Sequence, residues 1–483
     1  MSPRYDALQA PCPLRAAALA APDAPAILGS AGGISYAELD RRVSGTAENL
    51  TENGCAPGMR VALYLEKDER YLVLLLALLR AGCVVCPVST RVPAEGVVAL
   101  LGTATCSALI SAGDFHPADG ASLTVLRPDS FLQEASEAAV LEPLDIPLNR
   151  PATIIFTSGS TGTPKAALHT FGNHYYSALG SGANIPLASD DRWLHSLPLY
   201  HVGGLSIVFR CLLSGAAMAM PEAGIPLGEA IARSGATHVS LVATQLRRLL
   251  AQNHSSETLK AVLMGGGPVP DTLVDEALDR GLPVHTSYGL TEMASQVTTT
   301  PPDASRAARH TSGRVLPHRE VSVAEDGEIL VRGDTLFAGY VEGDVVDPRL
   351  DAEGWFHTKD LGELDADGYL RVTGRRDNQF VSGGENVQPE EIEAALCKVR
   401  GVEEAVVVPV PDEEFGERPV AFVRAPTGLP EDLAKALEPV LPRFKIPAVF
   451  HEWPEFSGPE GMKPDRAAFR KLAQRGKGTG AVP

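Results

Sequence analysis

Between residues 26 and 317 the chain alternates short apolar runs with stretches whose apolar positions recur every three or four residues. Residues 154–156, 194–197, 237–241, 260–264 and 284–287 read as buried strands, and 226–234, 244–252 and 271–280 as helices between them. This alternation predicts layered α/β structure with largely parallel sheets, because parallel neighbours need a crossover long enough to hold a helix. From 319 to 372 the pattern changes. Short β-like runs are joined by Asp326-Gly327 and Asp367-Gly368, dipeptides suited to tight turns, and a small antiparallel, β-barrel-like subdomain is expected.

A further break falls at Gly374-Arg-Arg-Asp377. Beyond it, 389–399 puts Ile392, Ala395, Leu396 and Val399 on one helical face, 405–410 and 420–423 read as strands, and 431–441 as a helix. The expectation is α/β, with a large N-terminal domain over 1–376 and a small α+β domain over 377–483. The glycine-rich run after Arg475 is expected to be disordered.

Composition changes this picture little. A chain of 483 residues, 44% hydrophobic and 21% charged, has ample material for about three globular units. The net charge of −18 argues against general affinity for nucleic acid, so an anionic ligand must be held by local groups. No targeting signal is visible, and the most apolar run, 72–79, is far shorter than a membrane span; a cytoplasmic protein is expected. The seven cysteines do not suggest a disulfide framework. Cys83 and Cys86 have CxxC spacing, but residues three apart on a strand face opposite ways, which favours a buried strand over a redox or metal pair.

The candidate chemistry begins after the strand at 154–156. Thr157, Ser158, Gly159, Ser160, Thr161, Gly162, Thr163, Pro164 and Lys165 form a loop of hydroxyls and glycines ending in a lysine. Glycines let backbone N–H groups approach an anion, hydroxyls add donors, and lysine adds a point charge suited to phosphate. No Ser or Thr follows the lysine, so this is phosphate handling of a non-Walker type.

This loop resembles the signature of the adenylate-forming superfamily, which holds acyl-CoA synthetases, peptide-synthetase adenylation domains and luciferases. Pro198-Leu-Tyr-His-Val-Gly-Gly204, Tyr288-Gly-Leu-Thr-Glu292, Thr358-Lys-Asp-Leu-Gly362 and Gly374-Arg375 resemble further motifs of that superfamily, in its order. The resemblance implies that ATP is bound by 157–163, by Gly265, Gly266 and Gly267, and by Tyr288, Gly289, Asp360 and Arg375. Within that set Tyr288 would stack on adenine and Asp360 would take the ribose hydroxyls. Thr291 would bond the α-phosphate and Glu292 would hold Mg²⁺. Lys463 would stand where the superfamily keeps a late catalytic lysine, though its flanks depart from the usual pattern; Lys471 and Lys445 fit less well. His201 is either a satisfied core histidine or, by resemblance, a residue at the mouth of the acyl site. Asp377 matches the hinge residue of a mobile C-terminal domain, and Ser382, Gly383 and Gly384 form a turn that is either a plain hairpin or a coenzyme A-facing loop.

The segments 377–391, 288–296, 265–268 and 240–245 resemble in particular the o-succinylbenzoate–CoA ligases of menaquinone and phylloquinone synthesis. The reaction implied joins that acid to coenzyme A through an acyl-adenylate, using ATP and Mg²⁺. The acid has two carboxylates, so the non-reacting one requires a cationic partner. Arg210, alone in an apolar helix after His201, is the candidate, with Ser240, Thr244, Ser295 and Gln296 completing the lining; the alternative is an arginine that snorkels to the surface. Another aryl- or acyl-CoA ligase, a luciferase-like oxygenase and a non-catalytic nucleotide-binding homologue share the superfamily motifs. No nucleic-acid or membrane partner is expected, and a homo-oligomer is compatible with the sequence.

Overall fold

The computed structural model describes residues 8–29, 32–113, 115, 123–132, 142–157, 164–252, 257–454 and 465–475. The predicted alternation produces two large sheets. In the first, Thr124–Leu126, Ala108–Ser111, Arg60–Tyr64, Val84–Pro87 and Pro151–Thr157 run parallel, and Lys165–Thr170, Gly339–Glu342 and Val345–Asp347 extend it antiparallel. The second has a parallel centre of Val284–Leu290, Ala261–Met264, His238–Leu241, Arg192–Leu194, Ala217–Ala219 and Pro25–Gly29. Its antiparallel edges are Ser295–Thr299 with Arg314–Val315 on one side and Gly32–Ser35 on the other.

Four helices, Tyr36–Glu52, Glu69–Arg80, Phe171–Asn184 and Val202–Ser214, lie between the sheets and share one core with strands of both, including Val61, Val85, Met218 and Leu263. The central position explains the apolar run at 72–79. A helix covered on both sides has no solvent face to mark with polar residues, and every residue from Tyr71 to Leu79 is buried. The start of Phe171–Asn184 is set by a capping box. The Thr170 hydroxyl accepts from the Asn173 N–H (3.2 Å), and the Asn173 side chain accepts from the Thr170 N–H (2.8 Å). Outer helices, Leu227–Ser234, Ala243–Ala251 and Asp271–Asp279 among them, cover the far face of the second sheet.

Cys83 packs into the core between the sheets and Cys86 into the core outside the first, as opposite faces of one strand require. Among the described residues, no group of three or more His, Cys, Asp and Glu could hold a metal ion, and no helix is long and apolar enough to cross a membrane.

The expected small β subdomain is a four-stranded antiparallel sheet of Arg319–Val323, Glu328–Gly333, Phe356–Leu364 and Leu370–Arg375. The strands Gly339–Glu342 and Val345–Asp347 lie within that sequence stretch but pair with the first large sheet instead. After Arg375 a separate sheet holds Glu385–Val387, Phe380–Ser382, Gly416–Arg424, Glu404–Asp412 and Val449–Glu452. Pro389–Leu396 and Leu433–Leu437 cover one face, and Arg466–Arg475 the other. Three predicted elements end earlier than expected. The strand expected over 194–197 is Arg192–Leu194, the helix expected over 389–399 is Pro389–Leu396, and the helix expected over 431–441 is Leu433–Leu437, starting only after Asp432 at φ 59. The glycine-rich run at 476–480 lies outside the described residues.

Candidate active site

The site residues gather where chains leave the strand ends. Pro151–Thr157 and Lys165–Thr170 form an antiparallel pair with Thr157 opposite Lys165, so the glycine-rich loop connects two registered strands. Ser158, Gly159, Ser160, Thr161, Gly162 and Thr163 lie outside the described residues, as does Lys463. The Lys165 ammonium lies 4.8 Å from the centre of the Tyr340 ring, and the Tyr340 hydroxyl donates to Glu292 at 2.5 Å. Four positions along the same strand, and therefore on the same face, His169 donates through Nε2 to the Thr291 carbonyl at 2.7 Å. Burial holds the His169 ring down at about 4, so it is neutral and carries its proton on Nε2. Two neighbouring strands thus hold the Thr291-Glu292 pair, Lys165–Thr170 through His169 and Gly339–Glu342 through Tyr340.

Val284–Leu290 carries Tyr288 to the same place, and Ala261–Met264 lies beside it in parallel register, delivering Gly265, Gly266 and Gly267 next to it. A Cβ on Gly289 would stand 2.2 Å from the Ser295 carbonyl oxygen, so the bulge there requires glycine. The Tyr288 hydroxyl donates to one oxygen of Asp360 at 2.6 Å, and Arg375 donates to the other at 2.5 Å. Burial and the neighbouring Asp360 charge push the Tyr288 phenol well above its usual value, so it remains a donor. Asp360 is presented by a kink at Lys359, whose φ of 61 costs about 1–2 kcal/mol in a non-glycine residue. The Lys359 N–H is fixed by Glu328 at 2.8 Å, and its ammonium lies 3.3 Å from Asp377. Arg376 pairs with Asp326 at 2.6 Å, so the chain at 375–377 is tied to the small sheet by three successive charged side chains. Ser382, Gly383 and Gly384 form a hairpin whose contacts stay in the C-terminal sheet, the Gly383 N–H donating to Phe415 at 2.9 Å.

On the other side of this cluster, His201 is the exposed N-cap of Val202–Ser214, edge-on to Tyr200 at 4.7 Å. Two turns further, Arg210 is only 4% exposed and does not snorkel. Its guanidinium donates to Gln296 at 2.7 Å and to the Ser295 hydroxyl at 3.2 Å, and it stacks 5.0 Å from the Trp193 ring. The Trp193 indole N–H in turn donates to Ser240 at 3.2 Å. Burial pulls Arg210 down to about 10, which leaves it charged at neutral pH. Among the described residues it has no carboxylate partner, and its Nε has no acceptor at all. Thr244 also holds a buried hydroxyl without a partner. Arg210 and Trp193 line a cavity of about 300 Å³ together with Ile185, Leu187 and Leu213. Ser295 stands at φ 127, directly after Ala294 at φ 52, a strained pair that aims Ser295 and Gln296 at Arg210.

Residues 14–341, well over half the chain, match the model of the AMP-binding enzyme family. The chain belongs to the AMP-binding enzyme family. Residues 391–457 also match the AMP-binding enzyme C-terminal domain. The chain is 37% identical to the 2-succinylbenzoate–CoA ligase of Salmonella typhimurium, over 91% of this chain and 92% of the relative. It is 32% identical to the ligase of the same name from Bacillus cereus, over 90% and 92%. Among solved structures it resembles the o-succinylbenzoate CoA synthetase of Bacillus subtilis in complex with the acyl-adenylate intermediate, with TM-score 0.87, 29% identity and coverage of 96% and 98%. It also resembles the wild-type MenE of E. coli with a bound phenylether-linked analogue of OSB-AMS, with TM-score 0.79, 33% identity and coverage of 96% and 99%.

The motifs proposed to carry the site are contiguous in sequence, but several supporting residues are not. Tyr340, which holds Glu292, and His169, which holds Thr291, are buried residues on the strands Gly339–Glu342 and Lys165–Thr170. Trp193 and Arg319, around Arg210, are buried beside charged sequence neighbours, Arg192 and Glu320. Polar or charged residues stand near each of them in sequence as well, so no local pattern marks them.

Proposed function

We propose that this AMP-binding enzyme ligates 2-succinylbenzoate to coenzyme A through an acyl-adenylate, releasing AMP and pyrophosphate, as a step of menaquinone or phylloquinone synthesis in the cytoplasm. The observation that carries the choice of acid is Arg210. A buried guanidinium with no carboxylate near it among the described residues is costly to maintain, and a ligand of complementary charge removes that cost. Ser240, Ser295 and Gln296 surround the same region with neutral donors and acceptors, and the Thr244 hydroxyl, in the helix that follows the Ser240 strand, is buried without a partner.

In this reading the acid's second carboxylate binds Arg210, which orients the other toward the nucleotide. His201, at the exposed start of the same helix, shapes the entrance. Asp360 keeps spare acceptor sites beside those used by Tyr288 and Arg375, because an ionised carboxylate offers about four; ribose hydroxyls fill them. Lys165 and the loop at 157–163 contact phosphates, and Thr291 holds the α-phosphate. Glu292 would hold Mg²⁺, a hard cation suited to a carboxylate oxygen, and the ion when bound would offset phosphate charge. Lys463 neutralises charge as the acid attacks the α-phosphate. Thioester formation then requires room for a thiol, so residues 377–483 would turn about Asp377 and bring Ser382, Gly383 and Gly384 toward coenzyme A. The separate apolar core of that segment supports its moving as a unit.

The test is to incubate the purified protein with ATP, Mg²⁺, coenzyme A and a panel of acids, following pyrophosphate and thioester mass. Thioester from 2-succinylbenzoate in preference to monocarboxylic aryl and fatty acids is expected. Strong turnover of another acid with none of 2-succinylbenzoate would overturn the reading.

A further inference from the structure

Arg319 begins the first strand of the small antiparallel sheet, but its side chain leaves that sheet and enters the layer behind Arg210. Its Nε donates to the Gln296 carbonyl at 2.6 Å, Nη1 to the Pro317 carbonyl at 2.6 Å, and Nη2 to the Ser177 carbonyl and hydroxyl at 3.1 and 3.2 Å. All of these acceptors are neutral. The residue is 6% exposed, and a Cβ on Gly180 would stand 2.1 Å from Nη1, so the helix Phe171–Asn184 has a glycine where the guanidinium passes.

The contacts converge on one residue. Gln296 gives its backbone carbonyl to Arg319 and its side-chain oxygen to Arg210, while its amide donates to Thr299 at 2.6 Å. Ser177, the other partner of Arg319, donates its hydroxyl to the Ala294 carbonyl at 2.8 Å and so holds the strained turn that precedes Ser295. Two buried cations thus flank Gln296, and among the described residues neither has a carboxylate partner. Placing like charges so close in a low-dielectric interior is unfavourable, and the nearby Arg210 charge joins burial in pulling Arg319 down to about 9. A fold that needed only hydrogen-bond donors at this point could use a neutral amide.

We infer that Arg319 is a positioning residue for recognition of the acid's non-reacting carboxylate: it fixes Gln296 and the turn before it, so that Arg210 commits one donor to Gln296 and keeps Nε and its remaining N–H groups for the ligand, and it adds a second positive charge behind the first. This rests on the carboxylate-binding role of Arg210 proposed above.

The test compares Arg319→Gln, Arg319→Lys and Gln296→Glu with the unaltered enzyme. Each is assayed on 2-succinylbenzoate and on an analogue lacking the non-reacting carboxylate. For Arg319→Gln, KM for the diacid rises about tenfold, KM for the analogue and for ATP stays within about twofold, and Arg319→Lys recovers part of the loss. Gln296→Glu places an internal carboxylate against Arg210 and removes diacid preference without removing either arginine, and it keeps the question open to measurement if Arg319→Gln does not fold. Equal loss on both acids, or full diacid preference in Gln296→Glu, would overturn the inference. Absence of diacid preference in the unaltered enzyme would instead overturn the role of Arg210 on which it rests.

Discussion

The proposed nucleotide side and the proposed acid side of this site hold charge in opposite ways. Around Asp360 and Glu292 the charged groups have partners: Arg375 and Tyr288 on one carboxylate, Tyr340 on the other, and Lys359 against Asp377 beside them. Around Gln296 two guanidiniums are buried with only neutral acceptors among the described residues. A compensated cluster is stable without a ligand and binds by adding to or exchanging partners, which suits a nucleotide that arrives and leaves as different phosphates. An uncompensated one is destabilised until an anion arrives, so its binding energy is concentrated on charge and discriminates strongly against ligands that lack it.

The largest effect that would sharpen this contrast concerns Lys463, the cation proposed for the reacting phosphate. Lys463→Ala should slow adenylate formation about 10²–10³-fold, while thioester formation from supplied acyl-adenylate survives; pyrophosphate release and single-turnover thioester assays measure the two steps, and equal loss of both would give Lys463 a structural role. Asp360→Asn should raise KM for ATP about tenfold and leave KM for the acid unchanged, because Arg375 loses its ionic partner while Arg210 is untouched. A matching rise for the acid would mean that the two sides are not separate. Tyr340→Phe removes a hydrogen bond to Glu292 worth about 1 kcal/mol, so a Mg²⁺ requirement about fivefold higher is expected from titration of the rate with metal. An unchanged requirement would detach Glu292 from the metal.

A further effect, away from the site, is on stability. Lys67 donates to the His195 carbonyl at 2.5 Å with no carboxylate partner among the described residues, and burial pulls its pKa from 10.5 to about 8. Between about pH 8 and 10.5 the unfolded chain binds more protons at this position than the folded one, so the enzyme gains stability relative to Lys67→Met as pH rises through that window. Melting temperatures of the two proteins across pH measure the difference, and a constant gap would show that Lys67 is not desolvated.

Much of this architecture was legible because the parallel strands are apolar runs between helical patterns, and the nucleotide motifs are continuous stretches such as Tyr288 to Glu292. Long-range pairing was not legible. The strands at 339–342 and 345–347 look like the rest of the antiparallel stretch around them, yet join the first large sheet. His169, Tyr340 and Arg319 each act on a motif more than 20 residues away in sequence, through pairings that no local pattern encodes. Arg210 itself could be read as a surface arginine, and only its burial and its Nε without an acceptor distinguish the two.

The most direct measurement is the ratio of kcat/KM for 2-succinylbenzoate to that for the analogue without the non-reacting carboxylate, in the unaltered enzyme and in Arg210→Met. The expected ratio is on the order of 10² in the first and falls close to one in the second, with KM for ATP preserved. A ratio near one in the unaltered enzyme, or one that survives Arg210→Met, would contradict the account.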